Sequence, residues 1–249
     1  QGLLALRGQR WRWLTAGELK LWFDRVCGFG QRLKRITITE NTGTFRSSIS
    51  MSKFSLKVMQ QCVFPYFKTG DADVRLGSTF GEDVALTQIG DDLLASHVDP
   101  IVGAVKNIAW LAVHVACNDI ATCGTRPRWI QLLVLVPDKK DIALLEQIMA
   151  DAGRAAEEVG VAIVGGHTGY SDALSRPLVA VTAFSPLQGK QPVLTRGAEI
   201  GDHILVTKGI PLEGTAILAD DFADTARRLG LAEEDLAEEK KLNQRLQSL

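Results

Sequence analysis

From Ile108 to Cys117 the chain is apolar but for His114, and two residues later it carries a carboxylate, Asp119. A helix of that composition has no polar face and must be largely buried, which demands a folded core around it. A carboxylate at the end of such a segment is costly unless a cation or a strong donor meets it. Asn118 beside it supplies a second oxygen or an amide donor. On Asp119 alone two readings stand: a metal-binding or donor-paired site, or a cap on a neighbouring loop.

The rest of the chain can supply that core. Its 249 residues are 46% apolar and 23% charged, enough for one large or two modest domains and unlike a disordered chain. The net charge of −1 gives no electrostatic case for nucleic acid, and no apolar run reaches a membrane span. Cys27, Cys62, Cys117 and Cys123 form no CxxC pair, so reduced, buried thiols in a cytoplasmic protein are expected. Residues 1–50 differ in texture: nine Lys/Arg stand against three Asp/Glu, while the remainder is acidic, with 19 against 26. This basic leader is expected to be poorly ordered or not native, with Met51 as the natural start; Thr15–Val26 is its one candidate helix.

Periodicity orders the remainder. Apolar residues at helical spacing predict a helix over Phe54–Phe64, stopped by Pro65. Asp83–Ile89 and Leu93–Val98 read as strands of a hairpin turning at Gly90-Asp91-Asp92. Val102–Cys123 is the long buried helix, and Trp129–Val136 a dense apolar strand. Asp141 caps a helix that Gly160 stops near Val159. Strands follow at Val161–Val164, Leu178–Phe184 and His203–Thr207, then a helix at Leu212–Asp220 and a mostly helical tail. An interdomain connection is expected near Gly189-Lys190-Gln191-Pro192. The division is thus a leader (1–50), a first domain (51–188) and the beginning of a second, truncated domain (189–249).

Three further signposts join Asp119. Asp83 opens one strand and Asp99 ends the next, so a hairpin brings both carboxylates to one end. Gly165-Gly166 closes the strand Val161–Val164 and, as a turn, exposes backbone N–H groups, with the Thr168 hydroxyl nearby. Carboxylates for Mg²⁺ and N–H groups for phosphates are what a metal-bound polyphosphate requires. The acids hold one ion or divide two between them. Glu82 and Asp91 are expected to be solvated, His114 to be a satisfied core residue, and His97, two residues before Asp99, to orient that carboxylate. His167 is a donor or a structural loop residue, and Lys106 either meets a phosphate or lies exposed. The chain holds neither GxxxxGK[ST] nor GxGxxG, so no P-loop or Rossmann fingerprint explains nucleotide binding.

In order and context, Gly81-x-Asp83-x-Ala85, Asp99-Pro100, Ile108 through Asn118-Asp119-Ile120-Ala121, Gly124-x-x-Pro127 and Gly165-Gly166-His167-Thr168 resemble the AIR synthase-related superfamily. This group includes aminoimidazole ribonucleotide synthetase, thiamine-monophosphate kinase, selenophosphate synthetase and the hydrogenase-maturation carbamoyl dehydratase, whose branch is the nearest in look. The resemblance covers about residues 53–232, and the run Thr195–Lys208 resembles the opening of the family's second domain. It implies an α/β (α+β) fold: an AIR synthase-like N-terminal domain with a mixed sheet and packed helices, followed by the start of a C-terminal α/β domain. It also implies a homodimer built through a shared β-barrel, with ATP in the cleft. Asp83, Asp99 and Asp119 would bind Mg²⁺ and the polyphosphate with Asn118 assisting, and Gly81, Gly165, Gly166 and Thr168 would lie at the nucleotide.

The implied chemistry is transfer of the γ-phosphoryl group of ATP. In the dehydratase branch it activates an amide or carbamoyl oxygen of a carbamoylated acceptor, with maturation proteins as partners. In a kinase of the thiamine-monophosphate type the acceptor is a small molecule. A non-catalytic dimerisation or assembly module is the reading from a different class. Ala109 departs from the family pattern, where glycine is common. The cysteine tail of the dehydratase branch has no counterpart in this sequence, which leaves that branch open.

Overall fold

The computed structural model describes residues 54–67, 70–79, 81–102, 104–196, 200, 212–228 and 230–241. The leader with its Thr15–Val26 helix, and the expected strand His203–Thr207, lie outside the described residues. The chain divides into two compact units, 1–59 with 197–205 and 60–196 with 206–249. Helix α1 (Leu56–Cys62) is followed by a 3₁₀ turn at Phe64–Tyr66 that carries Pro65. The unit that starts at Gln60 carries the sheet and the helices packed on it.

Its frame is one six-stranded sheet. Strands β1 (Val74–Leu76), β2 (Ala85–Ile89), β3 (Asp92–Ile101), β4 (Trp129–Val136), β5 (Ala162–Tyr170) and β6 (Leu178–Pro186) lie in the order β1-β2-β3-β6-β4-β5. All neighbours are antiparallel except β4 and β5, which run parallel and are joined through a helical crossover. The β2–β3 hairpin forms with Ala85 opposite Ser96 and Ile89 opposite Asp92, so the turn is the two residues Gly90-Asp91. Strand β3 continues three residues past its expected end at Val98, because β6 pairs with it as far as Ile101.

One face of the sheet is covered. Ala95 and Ile101 of β3, Ile130, Leu132 and Val134 of β4, and Val179, Val181 and Ala183 of β6 are buried there. Against them packs α2 (Ile108–Thr122), in which Ile108 through His114, Ala116, Cys117 and Ile120 are all buried. The helix starts six residues later than its apolar pattern begins, with Asn107 in the left-handed conformation at its N-cap. Helix α3 (Ile142–Val159) covers the outer side of α2 through Ile148 and the small side chains Ala152, Ala155 and Ala156. Asp141 caps α3 by accepting the Leu144 N–H at 3.0 Å, and Gly160 ends it at φ +78. With α2 enclosed between sheet and helix, its lack of a polar face is explained.

Two polar ties hold α2 from outside. The Glu158 Oε2 of α3 accepts from Trp110 Nε1 at 2.8 Å and lies 3.1 Å from the Nε2 of the buried His114. Asp221, at the end of α4 (Leu212–Asp221), accepts the N–H groups of Val105 and Lys106 just before α2, and Lys106 Nζ reaches the Asp220 carbonyl. Short helices α5 (Ala223–Arg228) and α6 (Glu233–Lys240) follow, matching the expected helical tail. The opposite sheet face is open, with Val98 60% and Leu133 37% exposed. Among the described residues no helix is long and apolar enough to cross a membrane.

Candidate metal centre

Side chains alternate along β3, so Ala95, His97, Asp99 and Ile101 share the face that meets α2. The outer two are buried in the core, and the pleat therefore aims His97 and Asp99 toward the helix between them. The last turns of α2 bring Asp119 to the same place. One ligand atom from each of His97, Asp99 and Asp119 lies within 4.8 Å of the others. His97 Nε2 is 2.8 Å from Asp119 Oδ2, and the two side chains are 16% and 24% exposed. On its other side the ring donates from Nδ1 to the backbone carbonyl of Asp83.

The electrostatics favour a positive charge here. Asp119 lies in the last turn of α2, where the helix dipole presents its negative end and a carboxylate is disfavoured. Burial pushes the His97 imidazole down. The contact with Asp119, its charge, the Asp83 carbonyl and the Asp99 charge together outweigh burial and raise the group above its ordinary value. Beside this cluster, burial and the Asp119 charge push the Cys117 thiol up to about 12, which makes it an inert core residue. Cys123 is likewise buried, and its Sγ–H donates to the Ile120 carbonyl. Cys62 is exposed, contrary to expectation, because α1 has no buried residue.

A cleft of about 330 Å³ opens beside the cluster, with Ser78, Glu82, Asp83, Ser96, His97 and Thr182 among its lining residues. It reaches His97 and Asp83; Asp99 and Asp119 are not part of its wall. Gly81, in a turn at φ +93, precedes this wall. Glu82, expected to be solvated, accepts the Thr195 N–H at 3.1 Å and ties the segment after β6 to the cleft.

The residues expected to act together are thus only partly brought together. Asp99 and Asp119 meet, while the Asp83 carboxylate is outside their group and its carbonyl is what reaches His97. Asn118 sits on α2 beside Asp119, half-buried. The glycine turn is a correction: Gly165, Gly166 and Thr168 lie inside β5, which runs on to Tyr170 rather than stopping at Val164. A Cβ on Gly166 would fall 1.9 Å from the Leu132 carbonyl oxygen, so close approach of β4 demands the glycine. Asp99, Val181, Leu132 and Gly166 form one row across four strands, which puts Gly166 roughly 14 Å from Asp99 at the usual strand spacing.

His97 is the residue whose role the sequence underrated. Its position two before Asp99 placed it on the correct strand face, yet its partner across the gap is Asp119, which only the packing of α2 reveals. Asp92, a turn residue by its sequence context, is a second such residue. Its carboxylate accepts the N–H groups of Gln188, Gly189 and Leu93, with Gly189 the main cause of a pKa below the usual carboxylate range.

The family described as AIR synthase related protein, N-terminal domain, matches residues 81–185. Thiamine-monophosphate kinase of Archaeoglobus fulgidus is 25% identical over 166 residues, covering 64% of this chain and 51% of that protein. A putative hydrogenase expression/formation protein of Methanocaldococcus jannaschii is 28% identical over 142 residues, or 55% of this chain and 42% of its own length. Selenide, water dikinase of Pelobacter propionicus is 31% identical over 173 residues, covering 68% and 47%. The chain spans about half the length of the curated relatives it matches. Among solved structures, AaThiL complexed with AMPPCP and TMP aligns with a TM-score of 0.53 at 20% identity, over 69% of this chain and 54% of that one. Thiamine-monophosphate kinase from Stenotrophomonas maltophilia aligns at 0.50 and 23%, over 72% and 56%. These likenesses establish the fold.

Proposed function

Since residues 81–185 form an AIR synthase-related N-terminal domain, we propose that this protein is an ATP-dependent enzyme that transfers a phosphoryl group from Mg-ATP to activate an amide or carbamoyl oxygen. The observation that carries this reading is the convergence of Asp99 from β3 and Asp119 from α2 within 4.8 Å, at the negative end of a helix dipole. Two carboxylates with a half-buried Asn118 beside them suit a hard cation that keeps part of its shell for phosphate oxygens. The residues that would hold Mg²⁺ are Asp99 and Asp119, and the ion would neutralise charge on the polyphosphate, the main task in phosphoryl transfer.

The chain's own residues set the stage for that ion. The Asp83 carbonyl holds the His97 ring in one orientation, and the ring in turn faces Asp119, so strand, loop and helix are locked in one arrangement. Glu82 fixes the cleft wall through Thr195. A homodimer joined through the open sheet face, location in the cytoplasm, and maturation proteins acting with a carbamoylated acceptor belong to the same proposal. The exposed Val98 and Leu133 give the open face the apolar character such pairing uses. The kinase relative of Archaeoglobus favours a second reading, a small-molecule kinase. A phosphorylated small molecule as the stable product would decide for it, and a dehydrated amide with ADP and phosphate for the first.

The test is calorimetric titration of Mg-ATP into the wild type and Asp119→Ala. Loss of about tenfold or more in affinity is expected, the scale on which metal-site residues act. Identical heats for the two proteins would sink the reading.

A further inference from the structure

Strand β2 begins at Ala85, opposite Ser96, so among the described residues β3 pairs with β6 alone from His97 to Ile101. The cleft of about 330 Å³ lies beside β3 where this pairing on the β2 side has ended, and the loop joining β1 to β2 forms its other wall through Ser78, Glu82 and Asp83. Its floor belongs to the open face of the sheet. Ser96 and Val98 alternate with the β3 residues that face α2, and Thr182 of β6 stands opposite Val98. Asp99 and Asp119, on the α2 side, do not line it. The chemistry of the lining is one-sided. It carries two carboxylates, three hydroxyls and no Lys or Arg among the described residues. Glu82 gives one oxygen to the Thr195 N–H, while no described group binds the Asp83 carboxylate or the hydroxyls of Ser78, Ser96 and Thr182.

We propose that this cleft binds a small organic cation, an amidinium or ammonium group carried on an apolar body. The positive group sits at Asp83 and Glu82, the body lies on Val98, and the Ser96 and Thr182 hydroxyls fix its orientation. The volume suits a compact ligand, near the lower end of small-molecule pockets. An anion is rejected, because two carboxylates face it and no cationic side chain offsets them. A bare metal ion is the wrong occupant. Among the described residues the one group of three side chains able to hold such an ion is His97, Asp99 and Asp119, and the Val98 floor offers it no oxygen. The site goes beyond the Mg-ATP reading and does not depend on it.

The test titrates the full chain with three probes of one shape and different charge, benzamidinium, benzamide and benzoate, at low salt where screening is least. The readout is the assigned backbone amide resonances of ¹⁵N-labelled protein. Benzamidinium should shift Ser96, Val98 and Thr182 saturably, benzamide should bind about tenfold or more weaker, and benzoate should leave these signals unmoved. Asp83→Asn should weaken benzamidinium about tenfold, and Thr182→Val, which removes one neutral hydrogen bond, about threefold. The wild-type series and Thr182→Val decide the matter if Asp83→Asn does not fold. Asp119→Ala should bind benzamidinium as the wild type does. Equal weakening in that variant would place the cation at the acid cluster and overturn the inference. Benzoate binding as tightly as benzamidinium, or no saturable shift at these three amides with any probe, also overturns it. None of these results bears on Mg-ATP, whose affinity is read in the separate calorimetric titration.

Discussion

Strands β3 and β5 lie three places apart in one sheet, and the sequence marks both for a nucleotide site, the first by Asp99 and the second by Gly165-Gly166-His167-Thr168. Their surroundings differ. Strand β3 is central, pairs on both sides, and turns one face into α2, so His97 and Asp99 are held between two buried neighbours. Strand β5 is an edge strand, exposed along almost its whole length. A polar side chain on β3 must be answered by something across the gap, and Asp119 answers it. On β5 a glycine needs only local packing to explain it, and Leu132 explains Gly166. A polar group acquires chemical meaning from the burial around it, and a bare glycine does not.

The largest effect expected is on β5. Gly166→Ala would drive a Cβ into the β4 backbone at a φ of +144, and neither strand can shift without parting the ladder. Destabilisation of about 3 kcal/mol or more is expected, the upper range for overpacking, against about 1 kcal/mol for Gly165→Ala, where the φ is strained but the space is open. Urea denaturation of both variants measures the gap. Equal effects would mean that close approach to Leu132 is not what the glycine serves.

The seating of α2 comes next. Glu158→Ala removes an acceptor shared by Trp110 and the buried His114, and should cost about 1–3 kcal/mol, the penalty for a buried donor losing its partner. Thermal unfolding reads it directly. An unchanged midpoint would show that the sheet alone positions the helix carrying Asp119.

On β3 the effect is in binding. Asp99→Asn should weaken Mg²⁺-dependent ATP binding about tenfold, near 1.4 kcal/mol, while leaving the melting curve close to wild type. Asp83→Asn should do less, since its carbonyl rather than its carboxylate reaches the cluster. If Asp83→Asn is the more damaging of the two, the bound state gathers a different set of acids.

Much of this architecture was legible in the chain. The strand at 129–136 and the helix capped by Asp141 and stopped at Gly160 follow from strong periodicity and local caps, and they stand where those signals put them. The pairing of Asp99 with Asp119 could be suspected, because both end apolar segments. What escaped the sequence was set by contacts distant along the chain. Strand β5 runs through Gly165-Gly166 because β4 offers it a full ladder, which overrides the turn preference of two glycines. The start of α2 is delayed to Ile108 by a left-handed Asn107 and by Asp221, a carboxylate more than a hundred residues away. His97 found Asp119 rather than Asp99 as its closest partner because a helix packed across the strand, which no spacing in β3 encodes.

The smallest effect belongs to the beginning of β3. Asp92 collects the N–H groups of Leu93, Gln188 and Gly189, joining the hairpin to the exit of β6. Its carboxyl titrates below the ordinary value of 3.8, chiefly through Gly189, so folding favours the charged form. A group depressed in the folded state stabilises above its unfolded pKa, and that contribution disappears as pH falls through the lower folded value. Asp92→Asn should therefore be slightly less stable than the wild type at neutral pH, and the difference should begin to close below about pH 3.8. Paired melts from pH 7 downward measure this. A gap that stays constant to the acid limit would assign the role of Asp92 to its shape, leaving the His97 cluster as the only end of β3 where charge matters.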